Sequence, residues 1–235
     1  MSEQENQTGP GLEPYVPLEG VAIGNYANHP AYKPAAISKE DELRAWLTPS
    51  AISERIVLCH AAAWNAGWWH DIRTGNPLNR NNGELLMLMV SEVCEAAHGL
   101  DYGLRDDKLP HRMMVEVEIA DFLIRLYDAC GAWRIDLHRE VEAYHSRGDR
   151  SHLPLPGRPA LFHVVRHLSD AMEGDRKSDT TRRTLGLVKA HQCAIWYALG
   201  QHYDPHQAMI EKVEYNRTRA DHQRAARLAP GGKAY

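Results

Sequence analysis

Apolar residues recur along most of this chain at the three-to-four-residue step of an α-helix, and nowhere alternate over the length of a strand. Ile52, Ile56, Cys59, Ala63 and Ala66 share one stripe and predict a helix over about 50–71 that ends in the aromatic cluster WNAGWWHD. The breaker-rich loop IRTGNPLNRNNG separates it from a second helix over 84–98. The polar loop HGLDYGLRDDKLPHR leads to a third, over 112–130, for which Gly131 is a candidate stop. A short helix at 135–146, two more at 160–173 and about 180–200, and a last one from Asp204-Pro205 to about Arg219 complete the pattern. The predicted fold class is all-α, a helical bundle.

Proline and glycine divide the chain. Residues 1–40 carry Gly9, Pro10, Gly11, Pro14, Pro17, Gly20, Gly24, Pro30 and Pro34 without a period and predict an irregular arm. Ser38, with Asp41 three residues on, is a candidate cap for a short helix. Residues 41–150 then read as one helical half and 151–235 as a second half with a C-terminal tail, the two integrated into one domain; HLPLPGRP (152–159) is the strongest internal break. A faint repeat relates the halves. VVRHLSDAMEG (164–174) can be laid on MVSEVCEAAHG (89–99), which sets His167 against Glu92 and Asp170 against Glu95. AIWYALGQHYDPHQA (194–208) can be laid on RLYDACGAWRIDLHRE (125–140) with a one-residue slip, and no carboxylate occupies 186–190, opposite Glu118 and Asp121. The overlay predicts a degenerate second copy that has lost most of its acidic residues.

One helix breaks its own pattern. The stripe begun by Leu85 and Leu88 continues into Glu92 and Glu95, and the next long helix carries Glu118 and Asp121 at the same spacing. Residues three apart in a helix lie about 60° from one another on one face. Two antiparallel helices can therefore bring the pairs together, and four converging carboxylates require cations. Oxygen-rich clusters hold hard divalent ions such as Mg²⁺, which also bind a substrate's phosphates. Glu–Glu pairs are also common on solvated helix faces; the second pair and the apolar stripe favour a metal site. Glu116, about 200° from Glu118, should face away as a surface charge.

Charge and cysteine content narrow the rest. A formal charge of −4 argues against a nucleic-acid polymer as partner but leaves room for a small anion held by local cations. Cys59, Cys94, Cys130 and Cys193 form no CxxC pair and read as free thiols, three of them buried in helical runs, as suits a reducing cytoplasm. No run approaches a membrane span of about 18 residues.

These residues carry a family resemblance. LLMLMVSEVCEAAHG followed by DDKLPHRMMVEVEIADFLIRLYDACGAWRIDL resembles the MazG-type all-α NTP pyrophosphohydrolases, whose signature is ExxE, a spacer, then ExxD; here Glu92, Glu95, Glu118 and Asp121, with 22 residues between the pairs. The tail EKVEYNRTRADHQRAARLAPGGKAY is similar to the end of many phage and bacterial members. The likeness covers 64–137 and 211–235; residues 139–205, where the degenerate copy lies, are less typical and are similar in arrangement to the dimeric dUTPases of the same superfamily. The resemblance implies hydrolysis of a nucleoside triphosphate to monophosphate and pyrophosphate, with Mg²⁺ (or Mn²⁺ in its place) held by the four carboxylates and Glu95 orienting the water. It also implies a phosphate grip by Lys212, Asn216 and Arg219, matching KxxxNxxR, with Lys233 folding over the ligand, and a homodimer. Trp64, Trp68 and Trp69 lie with Asn65 on or near one helix end, so a ring there, Trp68 among them, is a candidate to stack on a base and Asn65 to read its edge, and Arg125 is a candidate to pair with Asp121 or the phosphates. The tryptophans read equally as core, and Lys212 and Arg219 as solvated helix residues.

Two other readings stay open. Glu95-Ala-Ala-His98 and Glu142-Ala-Tyr-His145 are both ExxH, the pattern of di-iron oxidoreductase bundles, although His98 abuts Gly99 at the expected helix end. The degenerate repeat and the proline-rich arm also suit a non-catalytic helical nucleotide-binding or interaction module. His70-Asp71, a lone dipeptide, reads as a helix end.

Overall fold

A computed structural model describes residues 48–148 and 157–231. The arm, the candidate cap Ser38 and Lys233 lie outside the described residues. Among these there are eight α-helices and no sheet: α1 (Pro49–Asn65), α2 (Asn82–Tyr102), α3 (Met114–Ala132), α4 (Leu137–Ser146), α5 (Arg158–Arg176), α6 (Thr180–Gly200), α7 (Pro205–Thr218) and, after a 3₁₀ turn at Ala220–His222, α8 (Arg224–Leu228). None is long and apolar enough to cross a membrane.

The starts follow capping chemistry. Thr48, Asn81, Asp136, Asp179 and Asp204 each accept a hydrogen bond from a backbone N–H in the first turn, and Pro49 and Pro205 stand where no N–H is needed. The ends were less legible. α1 stops at Asn65, six residues short of the expected end, and the chain turns through Gly67 N–H to Trp64 O and Trp68 N–H to Ala63 O. α2 continues past the expected end at 98, because Gly99 is a crossing point: a β-carbon there would lie 2.8 Å from Met114 Cβ. Gly131 likewise lies inside the last turn of α3, against the His60 ring, with 2.7 Å left for a β-carbon.

α2 and α3 form an antiparallel hairpin, tied at its far end by Trp133 Nε1–H donating to Asn82 Oδ1 at 3.1 Å. α5 and α6 form a second hairpin; α2 packs on α5 and α3 on α6. α1 and α7 cover the remaining side of α3, and α4 bridges α1 and α6. The shared core includes Ile52, Met89, Phe122, Leu126, Val164, Leu187 and Met209, all fully buried. Each such side chain contributes about 1.5–3 kcal/mol by leaving water. In the second hairpin His167, set opposite Glu92 by the overlay, is buried, its pKa pushed down to about 4, first by burial and then by Arg166. Asp170 is ion-paired with Arg182 at 3.2 Å.

A polar chain threads this core. His145 Nε2 lies 3.1 Å from Gln192 Oε1, Gln192 Nε2 lies 3.0 Å from His191 Nδ1, and His191 Nε2 lies 2.9 Å from the Tyr127 hydroxyl. An amide nitrogen only donates, so His191 Nδ1 accepts and its proton sits on Nε2. A second proton would face that amide, and burial, followed by Arg55 and His145, lowers the pKa to about 3. The folded pKa lies below the ordinary value of about 6.5. The stability this network contributes is therefore complete above that pH and is lost as pH falls. We expect the denaturation midpoint to drop between pH 7 and 4.5, and His191→Gln, which cannot titrate, to remove up to about 1.4 kcal/mol per pH unit from that slope. Parallel acid limbs for the two proteins in pH-dependent thermal denaturation would contradict the assignment.

Candidate functional site

Glu92 and Glu95 on α2 and Glu118 on α3 each offer an oxygen within 4.8 Å of the others. Glu92 and Glu118 are buried, while Glu95 opens to solvent. The crossing at Gly99 explains why they meet, since it brings α2 and α3 close beside Met114 and leaves the next turns no room to diverge. Three such carboxyls cannot all stay ionised at this range. Burial, then Asp121 and the neighbouring Glu92 carboxyl, push Glu118 up to about 9, so at neutral pH it carries a proton. Burial and Glu92 also raise Glu95.

Two cations complete the cluster. Arg125 does not pair with Asp121; its Nε and Nη2 lie 2.6 and 2.5 Å from Glu92 Oε1. Asp121, the fourth expected ligand, is not one of the clustered three. Its Oδ2 is held at 2.7 Å by Lys212 Nζ, from α7. Burial pushes Asp121 up to about 6 while Lys212 pulls the other way. The register of α7 is set by two anchors. Arg112 grips Glu211 through Nε at 2.8 Å and Nη2 at 2.9 Å, and Glu116 accepts from Arg112 at 2.7 Å and from the Asp204 N–H at 2.9 Å. Glu116 does point away from Glu118's neighbours, but it is a buried strut, not the surface charge expected of it.

The polar stripe of α3 runs further than ExxD. Glu118, Asp121, Arg125 and Asp128 are spaced i, i+3, i+7 and i+10, one helical face. Asp128 is buried, and its Oδ1 accepts from Trp69 Nε1–H at 2.7 Å and lies 2.7 Å from His60 Nδ1. Trp69 packs edge-on to His60 with 5.6 Å between centroids, Trp64 lies tilted 5.4 Å from His70, and the Arg80 guanidinium stands 5.2 Å from the Trp69 ring. Arg80 feels the charges of both Asp128 and Arg125, so groups of alternating sign run along α3 from the acidic cluster to this aromatic group. Asp128, His60 and Arg80 were missed by motif reading; for Asp128 the i, i+3, i+7, i+10 stripe was the available signal.

Other expected residues fall elsewhere. Trp68 is no open platform: Arg227 covers its face at 3.7 Å while donating to the Ala66 carbonyl, and His222 meets it edge-on at 5.5 Å. Asn65 is exposed. Asn216, one turn past Lys212, has a buried Oδ1 with no partner among the described residues. Arg219 leaves the helix face, since it is the extended C-cap of α7, and pairs with Asp221 at 2.6 Å. The two ExxH pairs do not converge. His98, inside α2 and not at its end, stacks on Tyr102, Glu142 lies at the surface beside His138, and His145 bonds Gln192. His70-Asp71 is not a helix end but part of a turn in which Asp71 Oδ1 accepts from the Arg73 and Thr74 N–H groups. Cys59, Cys130 and Cys193 are buried and Cys94 is exposed.

The chain matches no protein-family model, no curated protein and no solved structure.

Because Glu118 has a folded pKa raised above the ordinary carboxyl value, its contribution to stability is complete at acid pH and declines as pH rises toward about 9. In metal-free buffer, Glu118→Gln should therefore be more stable than the parent at pH 8 and lose that advantage at pH 5. Thermal denaturation with a chelator present checks this; a pH-independent difference would show that Glu118 is not protonated in the fold.

Proposed function

We propose that this protein hydrolyses a (deoxy)nucleoside triphosphate to the monophosphate and pyrophosphate with Mg²⁺, in control of the cytoplasmic nucleotide pool, as the resemblance to MazG-type pyrophosphohydrolases implies. The observation that carries this reading is the meeting of Glu92, Glu95 and Glu118 within 4.8 Å, flanked by Lys212 and Arg125. The donor set fits the group: carboxylate oxygens are the ligands of hard cations, and Mn²⁺ accepts the same set. When bound, the metal neutralises the triphosphate and lowers the pKa of a bound water.

The chain's own groups supply the rest. Glu92 and Glu118 would hold the cation, and Glu118 gives up its proton to do so. Glu95, exposed and outside any ion pair among the described residues, orients the attacking water and takes its proton. Asp121 holds Lys212 at the cluster's edge, where the ammonium offsets charge developing on the phosphates. Arg125, partly exposed, neutralises Glu92 and can turn its second edge toward a phosphate oxygen. Asn216, with an unused buried oxygen one turn beyond Lys212, extends the same wall. The proposal includes pairing of two chains. An apolar cleft of about 640 Å³ between α2 and α5, lined by Val93, Cys94, Ala97, Leu161, Phe162 and Val165, offers a surface for it.

Incubation with Mg²⁺ and a panel of NTPs and dNTPs should release pyrophosphate, and Glu92→Gln should lower kcat/KM by about a hundredfold or more. Nucleotide binding without turnover would favour a non-catalytic module. No turnover of any nucleotide, with Glu92→Gln indistinguishable from the parent, would reject the proposal.

A further inference from the structure

The aromatic group two turns along α3 from Asp121 surrounds an acceptor that the described residues do not use. Asp128 Oδ1 takes the Trp69 Nε1–H and lies against His60 Nδ1, both at 2.7 Å. Its second oxygen, Oδ2, makes no hydrogen bond to any described residue, although the side chain is only 12% exposed. Nor is Oδ2 among the sealed polar atoms lacking a partner, so it opens onto accessible space. An oxygen so placed is left to water or to a ligand to satisfy. Trp69 and His60 fix the carboxyl's rotation from one side and leave the other oxygen presented.

The surroundings define what fits. Trp64 and His70, both half-buried, offer ring surface for a flat heterocycle in front of the buried Trp69 and His60, and Arg80 stands over the Trp69 ring. Asp128 stands two turns along α3 from Asp121, about 10 Å of helix rise, with Arg125 between them on the same face. That separation matches a nucleotide lying along α3, its phosphates at Arg125 and Lys212 and its base at the aromatic group. A carboxylate oxygen only accepts. Cytosine N4, adenine N6 and guanine N2 present exocyclic amino donors, while uracil and thymine offer only an N3–H set between two carbonyl oxygens, both of which a carboxylate oxygen repels.

We infer that Asp128 is a specificity-determining residue that selects amino-bearing bases over uracil and thymine. The inference rests on the nucleotide reading of the site and deepens it. His60 and Trp69 are positioning residues that hold the Asp128 carboxyl.

Two measurements separate this inference from the hydrolase reading. In the first, calorimetry compares binding of dCMP, dAMP and dGMP with that of dUMP and dTMP, in the absence of turnover. In the second, kcat/KM is measured for the corresponding triphosphates. At least one amino-bearing nucleotide should lead dUTP and dTTP by about tenfold or more in both, the scale of one hydrogen bond to a charged group. Asp128→Asn, which presents a donor, should collapse or reverse that ratio. An equal loss for every base would mark Asp128 as structural only and overturn the inference. So would wild-type protein that binds dUMP or dTMP as well as every amino-bearing partner, a result that needs no variant to fold. Base-selective binding without hydrolysis would reject the hydrolase and keep this assignment; hydrolysis with no base preference would do the reverse.

Discussion

The close crossing of α2 over α3 forces like charges together, and most of the site's structure answers that repulsion. Glycine at position 99 lets the helices approach beside Met114, and the neighbouring turns then bring oxygens of Glu92, Glu95 and Glu118 within 4.8 Å of one another. A fold cannot leave three ionised carboxyls so placed. Glu118 keeps a proton, Arg125 closes on Glu92 and Lys212 reaches across from α7 to Asp121. Even the anchors of α7, Arg112 to Glu211 and Glu116 to Asp204, serve to aim that lysine. The cluster is held together by compensation, and a divalent cation would replace several compensating groups at once.

The second hairpin, α5 and α6, shows what the same architecture does without that problem. His167 is buried and kept neutral, and Asp170 is matched by Arg182. Among the described residues no second group of three metal-capable side chains exists. The hairpin gives α2 and α3 a packed partner surface through Val164, Leu168 and Leu187 while contributing no acidic ligand of its own.

Helix existence and order were legible because apolar residues at the 3.6-residue step leave little ambiguity in a chain with no alternating runs. α6 was placed at its observed bounds, and Asp204-Pro205 marked the start of α7. Boundaries failed where glycine had a packing role: Gly99 and Gly131 read as stop signals but are contact points for Met114 and His60. The ExxE and ExxD residues were legible as carboxylates out of place on an apolar stripe. Which of them would cluster was not, because Asp121's engagement depends on where α7, 91 residues further along the chain, sets Lys212. Glu116 was misjudged for the same reason: helical angle says which way a side chain points, not whether another helix arrives there. Trp68 was named with Trp64 and Trp69 without any means of knowing that Arg227 would cover Trp68 and that Trp69 would be buried with its Nε1–H on Asp128.

Calorimetric titration of Mg²⁺ into the metal-free protein at pH 7.5, in two buffers of different ionisation enthalpy, tests the central claim most directly. The account predicts saturable binding that releases close to one proton per site, because Glu118 is protonated beforehand, and that is abolished by Glu92→Gln. Binding that releases no proton, or that survives Glu92→Gln unchanged, would contradict it.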